Sequence, residues 1–112
     1  MAAGDYLKEE RGARIVVVEA NECPTLLRNG FGEHNIQGIG DKHVPYIHNV
    51  MNTDIVVGVS DRSTGALDLL FNSETGLSYL SDRRGIDPEV IAGLKHLGLS
   101  GIANLVAAIK VA

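Results

Sequence analysis

The chain has 112 residues and a formal net charge of −4, with 10 Lys and Arg against 14 Asp and Glu. With 45% hydrophobic residues, this composition is typical of one small globular domain, residues 1–112, and argues against a disordered chain. No cluster of Lys and Arg is available to neutralise phosphates and no apolar run approaches a membrane span, so we expect neither a nucleic-acid nor a membrane partner.

A single cysteine, Cys23, cannot form an internal disulfide. Charged residues occupy the positions near the start of the chain where a signal peptide would need an apolar segment: Asp5, Lys8, Glu9 and Glu10. Both observations favour a cytoplasmic protein in a reducing compartment.

The first part of the chain predicts a helix followed by a strand. Residues 2–11 read as a helix that ends at Gly12. Residues 14–20, RIVVVEA, form a β-branched apolar run that is typical of a parallel strand buried on both faces. Residues 21–32 contain Pro, Asn and Gly and predict a connection, with one helical turn over residues 24–27.

A second strand is predicted over residues 54–59, and helices surround it. We predict a helix over residues 44–50, following Pro45, and another from Ser60 or Asp61 to about Phe71. A weaker helical pattern covers residues 74–80. The alternation of helices and β-branched strands indicates an α/β fold with a mainly parallel sheet and flanking helices.

The last third of the chain predicts two helices. Asp87-Pro88-Glu89 is a strong helix start, and this helix should stop near Gly98. Ser100 is the predicted N-cap of a final helix over residues 101–111, which is apolar almost all round. Two strands offer too little surface to cover such a helix, so we expect part of the fold to lie outside this chain.

The segment around Gly38-Ile39-Gly40 carries residue types that packing alone does not require. The two glycines bracket one apolar residue, and Asp41, Lys42 and His43 follow directly. Glycine lets a backbone turn or approach a ligand closely. The motif lacks the third glycine of the dinucleotide fingerprint, so by itself it indicates a structural turn or a small phosphate- or nucleotide-binding loop.

This glycine turn, IQGIGDKHVP, resembles that of the fold-type II pyridoxal-phosphate (PLP) enzymes, the cysteine synthase and tryptophan synthase β group. The matching residues keep the family's order: His34, Ile36, Gln37, Gly38, Ile39, Gly40 and Pro45. The resemblance implies that Gly38 and Gly40 lie near the pyridine ring of PLP and that Ile39 helps to wall it. The departure at residues 41–43, where cysteine synthases have small residues before an aromatic one, leaves the substrate open.

A second match lies near the end of the chain. GLSGIANLVAAIK is similar to a segment of the same family that opens a helix near the active site, with Ser100 and Gly101 as its Ser-Gly pair. The resemblance implies that both residues contribute to the cofactor or substrate site. A plain helix cap explains Ser100 equally well, and the sequence does not decide between the two.

Several parts of such an enzyme are absent. PLP chemistry needs a lysine that holds the cofactor as a Schiff base. None of the chain's four lysines lies in the family's Ser-x-Lys-Asn setting: Lys8, Lys42, Lys95 and Lys110. The glycine-rich phosphate loop and the strand that holds the pyridine nitrogen are missing as well.

The resemblance therefore implies a piece of a fold-type II domain from a PLP-dependent lyase or synthase. Such enzymes act on an amino-acid substrate by β-elimination or β-replacement, and this segment would be inactive alone. We expect either a homo-oligomer or association with the missing half of the enzyme. The alternative is a non-catalytic interaction module that buries its last helix and open sheet edge against a partner.

The remaining reactive side chains predict no further site. His43 and His48 are five residues apart, so they would not share one face of a helix. Metal binding is therefore not expected. Cys23 has no histidine associated with it by sequence context, so we do not expect it to act as a nucleophile.

Overall fold

The fold is built around two parallel β-strands. The computed structural model describes residues 2–30, 32–36 and 38–112. Strand β1, Val16–Ala20, pairs with β2, Ile55–Val59, and the register runs from Val16 opposite Ile55 to Ala20 opposite Val59. Both strands are rich in valine, whose branched side chain packs well on a pleated surface.

The hydrogen bonds of this pair determine which backbone groups reach the outer edge of β1. The Ile55 N–H donates to the Ile15 carbonyl at 3.1 Å, and the Asn21 N–H donates to the Val59 carbonyl at 3.0 Å. The two backbone polar groups of a strand residue point the same way and alternate along the strand. The backbone N–H and C=O groups of the odd-numbered residues of β1 therefore point towards β2. Those of Val16 and Val18 point to the opposite edge.

Besides the two strands, the described residues form six α-helices and two further helical turns. The bounds of the α-helices are α1 Ala2–Arg11, α2 Thr25–Arg28, α3 Asp61–Asn72, α4 Glu74–Ser78, α5 Pro88–Leu94 and α6 Leu99–Val111. A 3₁₀ turn covers Val50–Asn52 and a π-helical turn covers Tyr79–Arg83.

Helix α6 covers one face of the sheet. Ala103 and Ala107 of α6 are buried against Val57 and Val59 of β2, together with Ala20 at the end of β1. Alanine has the smallest side chain that still favours a helix, so α6 can approach the strands closely. These residues form the first of two core clusters.

The second cluster lies where α6 meets the other helices. Ile102 of α6 is fully buried and packs with Phe71, Leu80 and Ile91, which come from α3, the π-helical turn and α5. Helix α6 is thus buried on two sides, as its nearly uniform apolar sequence predicts. Helices of this chain cover the side that the two strands leave open, so the expectation that part of the fold must lie elsewhere to cover α6 is not supported. Ile109, near its end, is 70% exposed.

The α/β class, the parallel strand pairing and the flanking helices are confirmed. The predicted helix starts are confirmed at α3, where the Ser60 side chain accepts from the Ser63 N–H, and at α5, where Asp87 accepts from the Glu89 N–H. Gly12 follows α1 with a positive φ of 64°. These signals are local, and therefore readable from a few neighbouring residues.

Three predictions are wrong. Residues 44–50 form no α-helix, and Val50 only begins the 3₁₀ turn. The His48 N–H donates to the Pro45 carbonyl in a turn, and residues 44–47 are exposed, so no packed face supports an α-helix. Ser100 is not the N-cap of the last helix, because extended Gly98 takes that position and α6 begins at Leu99. Strand β1 is not buried on both faces, since Val16 to Val18 are only half-buried.

An ion pair connects α1 to the residue that precedes β2. Lys8 Nζ lies 2.7 Å from Asp54 Oδ1, and the Ile15 N–H donates to Asp54 Oδ2 at 2.7 Å. The Ile15 hydrogen bond, followed by that of Lys8, lowers the pKa of Asp54 below its ordinary value of 3.8. Both partners favour the charged carboxylate.

Replacing Asp54 should therefore lower stability in a pH-dependent way. The folded pKa is depressed, so the contribution of Asp54 is complete above pH 3.8 and disappears as the pH falls through the folded value. We expect Asp54→Asn to melt at a lower temperature than the wild type at pH 7. The two melting temperatures should converge in acid. A difference that stays constant from pH 7 to below 3.8 would contradict this assignment.

Candidate functional site

A cleft in the described chain lies beside the outer edge of β1. It has a volume of about 340 Å³ and lies between the strand and the segment that follows the glycine turn. The lining residues come from three places: β1 with Val17, Val18 and Glu19, the α2 region with Cys23, Thr25 and Leu26, and the segment with Gly38, Ile39, Gly40, Asp41, His43, Val44, Pro45 and His48. The volume is within the range of small-molecule pockets.

The glycine turn has a backbone conformation that other residues adopt only with strain. Gly38 has φ of 82° and Gly40 has φ of 90°. A Cβ built on Gly40 would lie 2.3 Å from Nε2 of His34, so a side chain at Gly40 would displace the imidazole. Ile39, between the two glycines, packs against the core cluster under α6. The turn is thus fixed by its backbone geometry and by one apolar anchor.

Two carboxylates hold the residues that lead into the turn. Glu22 accepts from the Asp61 N–H, with both oxygens at 3.2 Å. Asp61 in turn accepts from the Asn35 N–H at 2.5 Å and from the Ile36 N–H at 3.2 Å. Ile36 is buried, and its carbonyl accepts from Nδ1 of His34 at 3.1 Å. The approach to the turn is therefore bonded to the start of α3.

The residues that leave the turn are held by side chains that precede and begin α2. The Thr25 hydroxyl donates to the Asp41 carbonyl, and it also lies 3.3 Å from the Gly30 carbonyl. The buried Cys23 thiol lies 3.7 Å from the same Asp41 carbonyl. Because both ends of the turn are tied to neighbouring elements, its position beside the cleft is defined.

The cleft is acidic. Glu19 is only 6% exposed, and its two oxygens accept from the Leu26 and Leu27 N–H groups at 2.9 and 2.8 Å. Asp41 adds a second carboxylate at the rim, where its Oδ1 accepts from the His43 N–H. Among the described residues that line the cleft, none is Lys or Arg. Its electrostatics favour a neutral or cationic ligand group over an anionic one.

The structure brings together most of the residues that the sequence singled out. Gly38, Ile39 and Gly40 line the cleft. A Cβ on Gly38 would lie 3.9 Å from Oγ of Ser100, so the first turn of α6 reaches the glycine turn. Gln37, which the resemblance also matches, lies outside the described residues.

Gly101 does not approach the cleft in the same way. A Cβ there would meet Cδ2 of Leu97 at 3.3 Å, so its small size serves the packing of α6 against the residues before it. The resemblance places Gly101 with Ser100 at the site. Its contribution to the cofactor site stays a prediction.

Four residues of the site were not identified from the sequence: Glu19, Glu22, Thr25 and Asp61. Their side chains bond to backbone groups of other segments, and no local pattern reveals such partners. Glu19 stands out as a charged residue inside an apolar strand, which is the one signal available. Within the part of the chain that the structure describes, no three His, Cys, Asp or Glu side chains are grouped to hold a metal ion.

Comparison with known proteins gives no match, either to a protein-family model or to a curated protein. Over residues 2–30, 32–36 and 38–112, no helix combines the length and apolar character needed to cross a membrane.

Replacing Gly40 by alanine tests how the turn is built. Gly85 provides a matched control, because its φ is 63° and a Cβ there would have no atom within 4 Å. Both substitutions carry the strain of a left-handed residue, about 1 kcal/mol. Only Gly40→Ala also displaces His34, which should cost about 1 kcal/mol more through the lost hydrogen bond to Ile36.

Urea unfolding of both variants measures this difference. Shifts of the His34 ring signals in NMR spectra should accompany the larger loss. Equal destabilisation by Gly40→Ala and Gly85→Ala, with unchanged His34 signals, would show that the imidazole does not support the turn.

Proposed function

We propose that this chain is a segment of a PLP-dependent lyase or synthase of fold-type II that walls the cofactor and the substrate end of the site. The complete enzyme would act on an amino acid by β-elimination or β-replacement. The remaining parts would come from outside this segment. The chain has a single cysteine, Cys23, which is typical of a reducing compartment, so the proposed location of the protein is the cytoplasm.

The observation that carries this proposal is the proximity of Gly38 and Ser100. The two segments that resemble the family lie far apart in the chain, yet a Cβ on Gly38 would lie 3.9 Å from the Ser100 hydroxyl. Gly38 and Gly40 also expose backbone beside the cleft, as a flat ring would require for close approach. Two independent sequence matches that converge in space support one site more strongly than either does alone.

The described cleft fits one wall of a PLP site and does not fit a complete one. None of the described lining residues is a lysine that could form the Schiff base, and none is a Lys or Arg that could bind the phosphate. Glu19 and Asp41 would repel a phosphate placed beside them. We therefore assign no chemical step to this chain. The phosphate would be bound by parts of the enzyme outside this cleft.

A second candidate function is that of a non-catalytic interaction module. Its support is a run of exposed apolar residues after the glycine turn: Val44, Tyr46, Ile47, Val50 and Met51. Ile47 and Met51 are 80% and 90% exposed. Exposed apolar groups of this kind often mark a protein interface. A homo-oligomer or a complex with the missing half of the enzyme would bury them.

Nε-phosphopyridoxyl-lysine is a suitable probe, because it carries the reduced cofactor–lysine linkage that this chain lacks. We expect weak, millimolar binding, since only one wall is present. In ¹H–¹⁵N spectra of the titrated chain, the amides of Gly38, Ile39, Gly40 and Ser100 should shift together. Gly38→Ala should weaken this response at least fivefold, whereas Gly85→Ala should leave it unchanged.

Two results would contradict the proposal. One is the absence of shifts at the glycine turn at 10 mM probe, on the order of the weakest specific affinities. The other is a stoichiometric adduct of PLP itself with one lysine after borohydride reduction, which would mean that the chain is a PLP protein without a partner. Concentration-dependent dimerisation without any response to the probe would favour the interaction module.

A further inference from the structure

The outer edge of β1 is available for pairing. Val16 and Val18 direct their backbone N–H and C=O groups away from β2, as the alternation of hydrogen bonds requires. Outside the β1–β2 pairing, no hydrogen bond between described residues involves either of them. An unpaired row of backbone groups on a β-branched strand is a template for another strand.

The opposite edge of the sheet is protected. Lys110, near the end of α6, donates from Nζ to the Gly58 carbonyl of β2 at 2.9 Å. The ammonium group thus occupies a carbonyl that a strand added to this edge would need, and it places a charge at the edge. The two edges therefore differ, and the cleft described above lies beside that of β1.

The cleft offers apolar groups beside the open edge of β1. Val18 belongs to the sheet face that packs under α6, so it meets the cleft through its backbone at the strand edge. Leu26 lines the cleft from α2, and Val44 and Pro45 line it from the segment after the glycine turn. An incoming strand would form main-chain hydrogen bonds to Val16 and Val18 and place alternate side chains between these apolar groups.

The charges of the cleft specify the occupant further. Glu19 and Asp41 are acidic. The other ionisable side chains among the described lining residues are those of His43, His48 and Cys23. A Lys or Arg side chain on the incoming strand would therefore be attracted. A second copy of this chain would instead bring two further carboxylates to the same edge, where like charges repel.

We propose that the open edge of β1 pairs with an extended, β-branched segment of a different polypeptide, and that this segment carries a cationic side chain into the cleft. The interaction is β-strand addition, with affinity from backbone hydrogen bonds and preference from the acidic cleft. It requires neither PLP nor the proposed enzymatic role, because it rests on the strand edge and the charges alone.

The test uses the acetylated and amidated peptide TVKVTV as the probe, titrated into the full chain in the absence of PLP. We expect the amides of Val16 and Val18 to shift in ¹H–¹⁵N spectra. Replacing the lysine of the peptide by glutamate should weaken binding at least tenfold. Asp41→Asn should remove most of this preference, since asparagine keeps the acceptor for the His43 N–H without the charge.

N-methylated peptides provide the sharpest control. Residues along an extended strand direct their N–H groups alternately to either side. Methylating the nitrogens of alternate residues on one side should abolish binding, and methylating those on the other side should leave it nearly unchanged. Val16→Pro removes one edge N–H at the first residue of β1, where proline is tolerated. It should weaken binding at least tenfold relative to Val16→Ala, which loses the same core packing but keeps the N–H.

Three outcomes would overturn the proposal. The first is an equal response to both methylated series, which would mean that no strand is added. The second is a shift pattern outside β1 and the cleft. The third is self-association of the chain through β1, seen as a sedimenting dimer that the peptide does not dissociate, which would make a second copy the occupant.

Discussion

The candidate site depends on a pair of carboxylates that connect three separate parts of the chain. Glu22 follows β1 and accepts from the first N–H of α3, while Asp61 of α3 accepts from the Asn35 and Ile36 N–H groups. Each carboxylate satisfies backbone donors that a helix start or a loop would otherwise leave unpaired. The carboxyl ends of both strands and the entry to the glycine turn are thereby held together.

This arrangement also explains close backbone approaches around the site. A Cβ on Gly32 would lie 2.3 Å from the Glu22 carbonyl, so the connection can pass there only as glycine. Ile36 is then buried beneath the turn, and Gly38 is presented to Ser100. The position of the turn is a consequence of long-range hydrogen bonds and one buried side chain, and the glycines make it sterically feasible.

The chemistry of the cleft gives the two proposals a common physical basis. Its glycine backbone and apolar walls suit a flat or extended occupant, and its carboxylates disfavour an anionic one. The proposed cofactor wall and the proposed strand addition both need groups from outside the described cleft. The two proposals differ in the ligand that the cleft binds, and the peptide and cofactor probes distinguish them.

The sequence predicted the local features well. The valine runs predicted both strands, and Ser60 and Asp87 predicted the starts of α3 and α5, because these signals depend on neighbouring residues. The helix predicted over residues 44–50 was wrong because its apolar residues face solvent, which periodicity alone cannot reveal. Ser100 was wrong as a cap because Gly98, two residues earlier, could take the same position.

The long-range features had no comparable signal. The pairing of Glu22 with Asp61, and of Thr25 with the Asp41 carbonyl, joins residues whose proximity depends on the whole fold. The glycine turn was identified through its resemblance to a family, while its contact with Ser100 required the structure. A sequence therefore indicates which residues are unusual, and the fold determines which of them meet.

The most direct test is a nuclear Overhauser measurement between the α-protons of Gly38 and the β-protons of Ser100 in the isotope-labelled chain. We predict a clear cross-peak, because a Cβ on Gly38 would lie 4.0 Å from Cβ of Ser100. The cross-peak should weaken in Asp61→Ala, which frees the Asn35 and Ile36 amides, and persist in Asp68→Ala on the same helix. Its absence from the wild-type chain would contradict the convergence of the two segments and the site built upon it.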